Sequence, residues 1–242
     1  MTVEDDAGNS LPFEKTRKNR WLVQTKPGQN LVVSYRLYCN EVSVRTNFVN
    51  QRFGVLNGAP TFLTVPDQMN QPHHVVLKMP EPWKTAASSM NRGDQEHSFV
   101  ANDFDELVDS PIVAGLTNTY PFEAGGVTHQ LVNVGESGYW DGEAVTRDLK
   151  RIAEEQHKIW GVVPYDRYLF LNVITESGGG LEHDFCNLTL TSRWSYRDPE
   201  KYQDWLSLAS HEFFHTWNVR RLRPKPLQKY DYENEILSLI HI

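Results

Sequence analysis

Over residues 1–125 the hydrophobic pattern is that of strands. Trp21-Leu22-Val23, the run Leu31 to Tyr38 and Val42-Ser43-Val44 are short β-branched and aromatic segments. Turn signals at Lys26-Pro27-Gly28-Gln29-Asn30 and Asn57-Gly58 separate them. His74-Val75-Val76-Leu77-Lys78-Met79 adds a further strand, closed by Pro80 and Pro82. Short strands at this spacing predict an antiparallel, sandwich-like or strongly curved arrangement. No helical period is read in this half.

The period changes after Trp140-Asp141-Gly142. Between Glu143 and Trp160, Val145, Leu149, Ile152, Ala153, Ile159 and Trp160 fall mostly at helical spacing, and Gly161 stops the pattern. Tyr168 to Ile174 reads as a mostly buried strand. A turn is expected at Gly178-Gly179-Gly180 and a second strand around Asn187-Leu188-Thr189-Leu190. Asp198-Pro199-Glu200 is a helix start, with Asp as the cap and Pro at the first position. That second helix is predicted to run from Pro199 to Arg220, before Pro224 and Pro226 forbid continuation.

His211-Glu212-Phe213-Phe214-His215 lies on this helix. Two histidines four positions apart project from one helical face, close enough to hold one metal ion. The intervening Glu212 sits beside the metal without ligating it, where it can take a proton from water that zinc has acidified. Leu206, Ala209, Phe213 and Trp217 supply the inward face. A helix carrying two surface histidines is the plainer reading of five such residues. The helical setting, the apolar flanks and a second glutamate motif upstream favour the zinc site.

That segment in full, HEFFHTWNVRRLRP from His211 to Pro224, resembles the active-site segment of the glycyl-aminopeptidase-type metallopeptidases. These are gluzincins that often carry a PDZ domain. Gly179-Gly180-Leu181-Glu182-His183 matches the family's GGLEH segment, Val108-Asp109-Ser110-Pro111-Ile112 resembles part of its N-terminal β-domain, and Tyr230-Asp231-Tyr232 continues the match. The resemblance implies an α+β chain: an N-terminal antiparallel β-sandwich-like domain over 1–138, with its start missing, then the N-terminal part of a thermolysin-like catalytic domain over 139–236.

The resemblance also implies roles. His211 and His215 become ligands of one catalytic Zn2+, and Glu212 the general base. Glu182 becomes the carboxylate that pairs with a substrate's α-amine, so that cleavage counts from the N-terminus. Gly179 and Gly180 would let a peptide backbone lie close, and His183 would orient Glu182 or line the pocket. By itself Glu182 reads rather as a solvated loop carboxylate. The implied activity is removal of small N-terminal residues, Gly or Ala, from peptides. A catalytically incompetent peptide-binding relative and an endopeptidase of the same clan are the alternatives.

Gluzincins take a third ligand from a later helix, and no Trp-x-x-Glu-Gly-type helix follows here. Glu235, with Glu233 nearby, is the remaining candidate, though the expected ligand lies past the end of the chain. Leu237 to Ile242 reads as the translation of a transposon end used in sequencing libraries. The natural frame is therefore expected to have been cut near Ile236, leaving a fragment inactive on its own.

Composition adds exclusions. The 242 residues carry 24 Lys+Arg against 31 Asp+Glu, a formal net charge of -7, which argues against a nucleic-acid binder. No stretch is long and apolar enough for a membrane span, and the compartment is left open between cytoplasm and periplasm. Cys39 and Cys186 could form one disulfide at most, and Cys186 reads as a buried small hydrophobe. His73, His74, His97, His129 and His157 are expected to be surface or satisfied interior histidines. Arg220, Arg221 and Arg223 suit a helix C-terminus, and the resemblance allows a contact near the active site.

Overall fold

The computed structural model describes residues 1–225 and 232, so Glu233, Glu235 and 237–242 lie outside the described residues, as do Tyr230 and Asp231. Two compact units are present. The first, from Met1 to Tyr38, holds β1 (Thr2–Asp5), β2 (Phe13–Arg17), β3 (Arg20–Val23) and β4 (Leu31–Ser34). β1 pairs antiparallel with β4 and β2 with β3, and Val3 is its buried apolar residue. The expected strand from Leu31 to Tyr38 stops at Ser34, where pairing with β1 ends.

The second unit, Cys39–Gln228, opens with β5 (Phe48–Val49), β6 (Phe53–Leu56) and the single-turn α1 (Gly58–Thr61). It continues with β7 (His73–Val76), β8 (Thr85–Ala87), β9 (Asn91–Arg92), β10 (Ser98–Ala101), α2 (Phe104–Asp109) and β11 (Ile112–Gly115). These strands make two small antiparallel sheets, ordered β5-β6-β11-β8 and β7-β10-β9. Two expectations are corrected. Val42-Ser43-Val44 is loop, although Val44 is buried against the sheet below. Helix α2 exists where no helical period was read; it is too short to show one and is nucleated by Asp103, which accepts from Glu106 N at 2.8 Å.

The remainder is built on a five-stranded sheet. β12 (Thr117–Ala124) and β13 (Val127–Val134) form a hairpin, followed by α3 (Gly142–Trp160), β14 (Arg167–Thr175), β15 (Gly179–Glu182), β16 (Cys186–Ser192) and α4 (Pro199–Phe214). The order is β12-β13-β14-β16-β15, with β13, β14 and β16 parallel and the two edges antiparallel. Helix α3 provides the crossover that parallel neighbours require. Asp141 caps it through Ala144 N at 2.9 Å, and Gly161, at φ 67, ends it.

The inner strands are apolar on both faces, as a covered sheet demands. Leu131, Tyr168 and Phe170 pack with Val145, Leu149 and Ala153 of α3 and with Trp205, Ala209 and Phe213 of α4. Their neighbours Val132, Leu169, Leu171 and Leu188 point the other way, against Val55 and Val113. Each fully buried Val, Leu or Phe among them contributes about 1.5–3 kcal/mol. The α+β class expected from sequence is the one observed, with a β-rich beginning made of several small antiparallel sheets.

Candidate active site

Helix α4 holds its chemistry through three attachments. Asp198 accepts from Glu200 N and Lys201 N at 3.2 and 3.4 Å, with Pro199 at the first helical position. Trp205, Ala209 and Phe213, four residues apart, form the buried stripe. Asn187 of β16 donates to Ala209 O at 3.3 Å, and Gln156 of α3 donates to Ser210 O at 2.7 Å. The residue after Ser210 is His211.

The helix ends at Phe214, six residues before the expected Arg220. No glycine or proline marks that stop. Tertiary structure imposes it: the Trp217 indole is buried and donates to Val162 O at 2.8 Å, and Val219 takes a left-handed φ of 102. Arg220 N then returns to His215 O at 3.1 Å. This tight exit also fixes a ligand. The Nδ1 of His215 lies 3.0 Å from Asn218 O, so Nδ1 carries the proton and Nε2 presents its lone pair.

That Nε2 lies 3.1 Å from the Nε2 of His211, with the rings at 90°. Two nitrogens bound about 2.0–2.1 Å from one tetrahedral ion would stand ~3.3–3.4 Å apart, so the donor pair fits a zinc-sized ion. Candidate ligand atoms of His211, Glu212 and His215 all lie within 4.8 Å of one another. Among the described residues, no other group of three or more His, Cys, Asp or Glu comes so close.

Glu212 sits between the histidines in sequence but turns inward and is 5% exposed. Its carboxylate lies against Gly180, where an added Cβ would overlap Oε1. Gly180 is thus filled by Glu212, a role distinct from the expected room for substrate backbone. The expected turn at residues 178–180 is also corrected: Gly179 and Gly180 begin β15, Gly179 with φ 134. Pairing with β16 draws them into the sheet edge, with Glu182 opposite Asn187. Burial, reinforced by the nearby Glu182 charge, pushes the Glu212 carboxyl up to about 7. The structure brings together His211 and Glu212 of α4, His215 at its C-cap and Gly180 of β15, with the Glu182 charge acting on Glu212, whereas Gly179 lies near Val44.

His183 joins a network that its sequence position did not signal. Its Nδ1 lies 3.1 Å from Asp109 Oδ1, which also receives Arg220 Nη2 at 2.7 Å. Asp109 Oδ2 accepts Asp184 N at 2.8 Å, and Arg220 Nε donates to Asp184 Oδ1 at 2.7 Å. Burial would raise the Asp109 carboxyl, but Arg220 and His183 outweigh it and hold it below the usual range. The partners lie 74 and 36 positions apart, so spacing carried no signal. Among the remaining foreseen residues, Cys186 is buried, and neither Cys186 nor Cys39 is in a disulfide.

The chain is similar to known peptidases. Residues 1–116 match the peptidase M61 N-terminal domain, and residues 204–239 match the M61 glycyl aminopeptidase. An aminopeptidase N family protein from Idiomarina loihiensis is 32% identical with a TM-score of 0.86; the match covers 97% of this chain and 42% of that one. Aminopeptidase A of Legionella pneumophila, solved with aspartic acid, is 14% identical with a TM-score of 0.57, over 90% of this chain and 29% of that one. An M1 zinc metallopeptidase from Deinococcus radiodurans is 14% identical with a TM-score of 0.51, over 90% and 53%. The last two likenesses show a shared fold alone. No curated protein matches by sequence. The chain spans less than half the length of the Idiomarina protein.

Proposed function

Since this chain belongs to the M61 glycyl aminopeptidase family, we propose that it carries part of the active site of a zinc-dependent aminopeptidase. The observation that supports this most is the facing pair of imidazole nitrogens, with Glu212 held beside them by Gly180. His211 and His215 would hold the ion, His215 with its tautomer already set by Asn218 O. When bound, zinc lowers the pKa of water and polarises a carbonyl.

The chain's own groups do the rest. Glu212 takes the proton of the attacking water and passes it to the leaving amine. Glu182, at the end of the edge strand, pairs with the substrate's ammonium group. β15 is an edge of its sheet among the described residues, so an extended peptide can lie along it and gain main-chain hydrogen bonds. The division into a β-domain over 1–138 and a catalytic part over 139–236 belongs to this proposal, as do a third ligand outside the described residues and a preference for small N-terminal residues.

The test is Glu212→Gln, compared with the parent protein on glycyl and alanyl peptides. The expected kcat falls about 10²–10⁴-fold, with zinc retained. Undiminished cleavage would remove Glu212 from its role. A parent enzyme that prefers N-acetylated peptides would favour an endopeptidase.

A further inference from the structure

Glu182 is the last residue of β15, and the chain turns immediately after it, with His183 N bonded to Cys186 O at 3.0 Å. Nearly every polar group of that turn is held from outside. Asp109, at the end of α2, takes His183 Nδ1 and Asp184 N on its two oxygens. Arg220 bridges Asp109 and Asp184, each at 2.7 Å. Arg221 donates to Asp184 O at 3.0 Å and, from the same Nη1, to Thr216 O at 2.9 Å.

Arg220 is also tied to the histidine helix, because its backbone N bonds His215 O. One buried charge cluster therefore grips the strand end that carries Glu182 and the helix exit that carries His215. Asp109, His183 and Arg220 have side chains 15%, 8% and 9% exposed, so these bonds are poorly screened by solvent.

We infer that the Asp109–Arg220–Asp184 cluster is a positioning device that fixes the separation between Glu182 and the His211/His215 pair. It rests on the reading of Glu182 as the partner of the substrate's amine. On that reading the separation sets how far from the N-terminus the attacked bond lies. Asp109, His183, Asp184 and Arg220 are positioning residues; none needs to touch substrate. The consequence is that loosening the cluster degrades recognition of the free amine before it degrades the ion site.

The experiment uses the parent protein, its Asp109→Asn variant and, because Asp109 is buried, the more accessible Asp184→Asn. For each, zinc content is measured, with kcat and KM on a glycyl peptide and the ratio of inhibition constants for an N-acetylated and a free glycyl peptide. Both variants are expected to keep zinc and most of kcat, to raise KM, and to lower that ratio about tenfold. An unchanged ratio in Asp109→Asn overturns the inference, and Asp184→Asn decides in the same way if Asp109→Asn does not fold. A parent protein with no preference for the free amine refutes the reading of Glu182 itself, and this inference with it.

Discussion

His129 and His157 stand on either side of the Tyr165 hydroxyl, 3.0 and 2.6 Å from it, in the core between β13 and α3. His211 and His215 face one another directly, Nε2 to Nε2 at 3.1 Å. In the buried pair the direction of every proton is fixed. His129 Nδ1 lies 2.9 Å from Val127 O and must donate to it, so Nε2 accepts from Tyr165. The Tyr165 oxygen then accepts Nε2–H from His157. A phenol bridges the two rings, while His157 Nδ1 is buried without a hydrogen-bond partner. In the surface pair His215 likewise spends its Nδ1 proton on a carbonyl, but its Nε2 lone pair meets another imidazole. What separates the structural histidine pair from the one proposed to hold a metal is thus the group that stands between the rings.

The largest effect expected on the surface pair comes from Gly180→Ala. The new methyl would displace the Glu212 carboxylate and leave both histidines untouched, so zinc binding should persist while kcat falls about 10²-fold. A variant that loses zinc would mean that Glu212 helps hold the ion, which steady-state kinetics with metal analysis would show.

The buried pair should answer to acid instead. Burial holds the His129 imidazole down to about 4, with the His157 charge adding to the effect, and burial also lowers His157. Both pKa values are depressed on folding, so their contribution is complete above the unfolded value of about 6.5 and is lost as pH falls toward 4. For His129 the loss is on the order of 3 kcal/mol. Urea midpoints measured from pH 7 to 4.5 should fall less steeply in His129→Gln; parallel slopes would contradict this reading. Tyr165→Phe should cost about 2 kcal/mol, by stranding two buried ring nitrogens, yet leave zinc content unchanged. Thermal melting and metal analysis of that one variant separate the two pairs.

Sequence made the surface pair legible and hid the buried one, for a physical reason. His211 and His215 lie one helical turn apart, so a short-range period places them on one face. The capping residues Asp141 and Asp198 were readable for the same reason. His129, Tyr165 and His157 come from a strand, a loop and a helix, and meet only because β13 pairs parallel with β14 across α3. Such pairing has no local signature. The hairpin 117–134 looks like the β-rich residues before it, yet hydrogen-bonds to β14. The early stop of α4 and the cluster around Asp109 are long-range in the same way. Resemblance marked the segments containing Asp109 and Arg220, but only the fold shows that they touch.

The central claim is that His211 and His215 jointly hold one zinc ion. Metal analysis of the parent protein, beside His215→Ala and Tyr165→Phe, tests it most directly. One zinc per chain is expected in the parent and in Tyr165→Phe, and none in His215→Ala. Zinc retained at full stoichiometry in His215→Ala would contradict it.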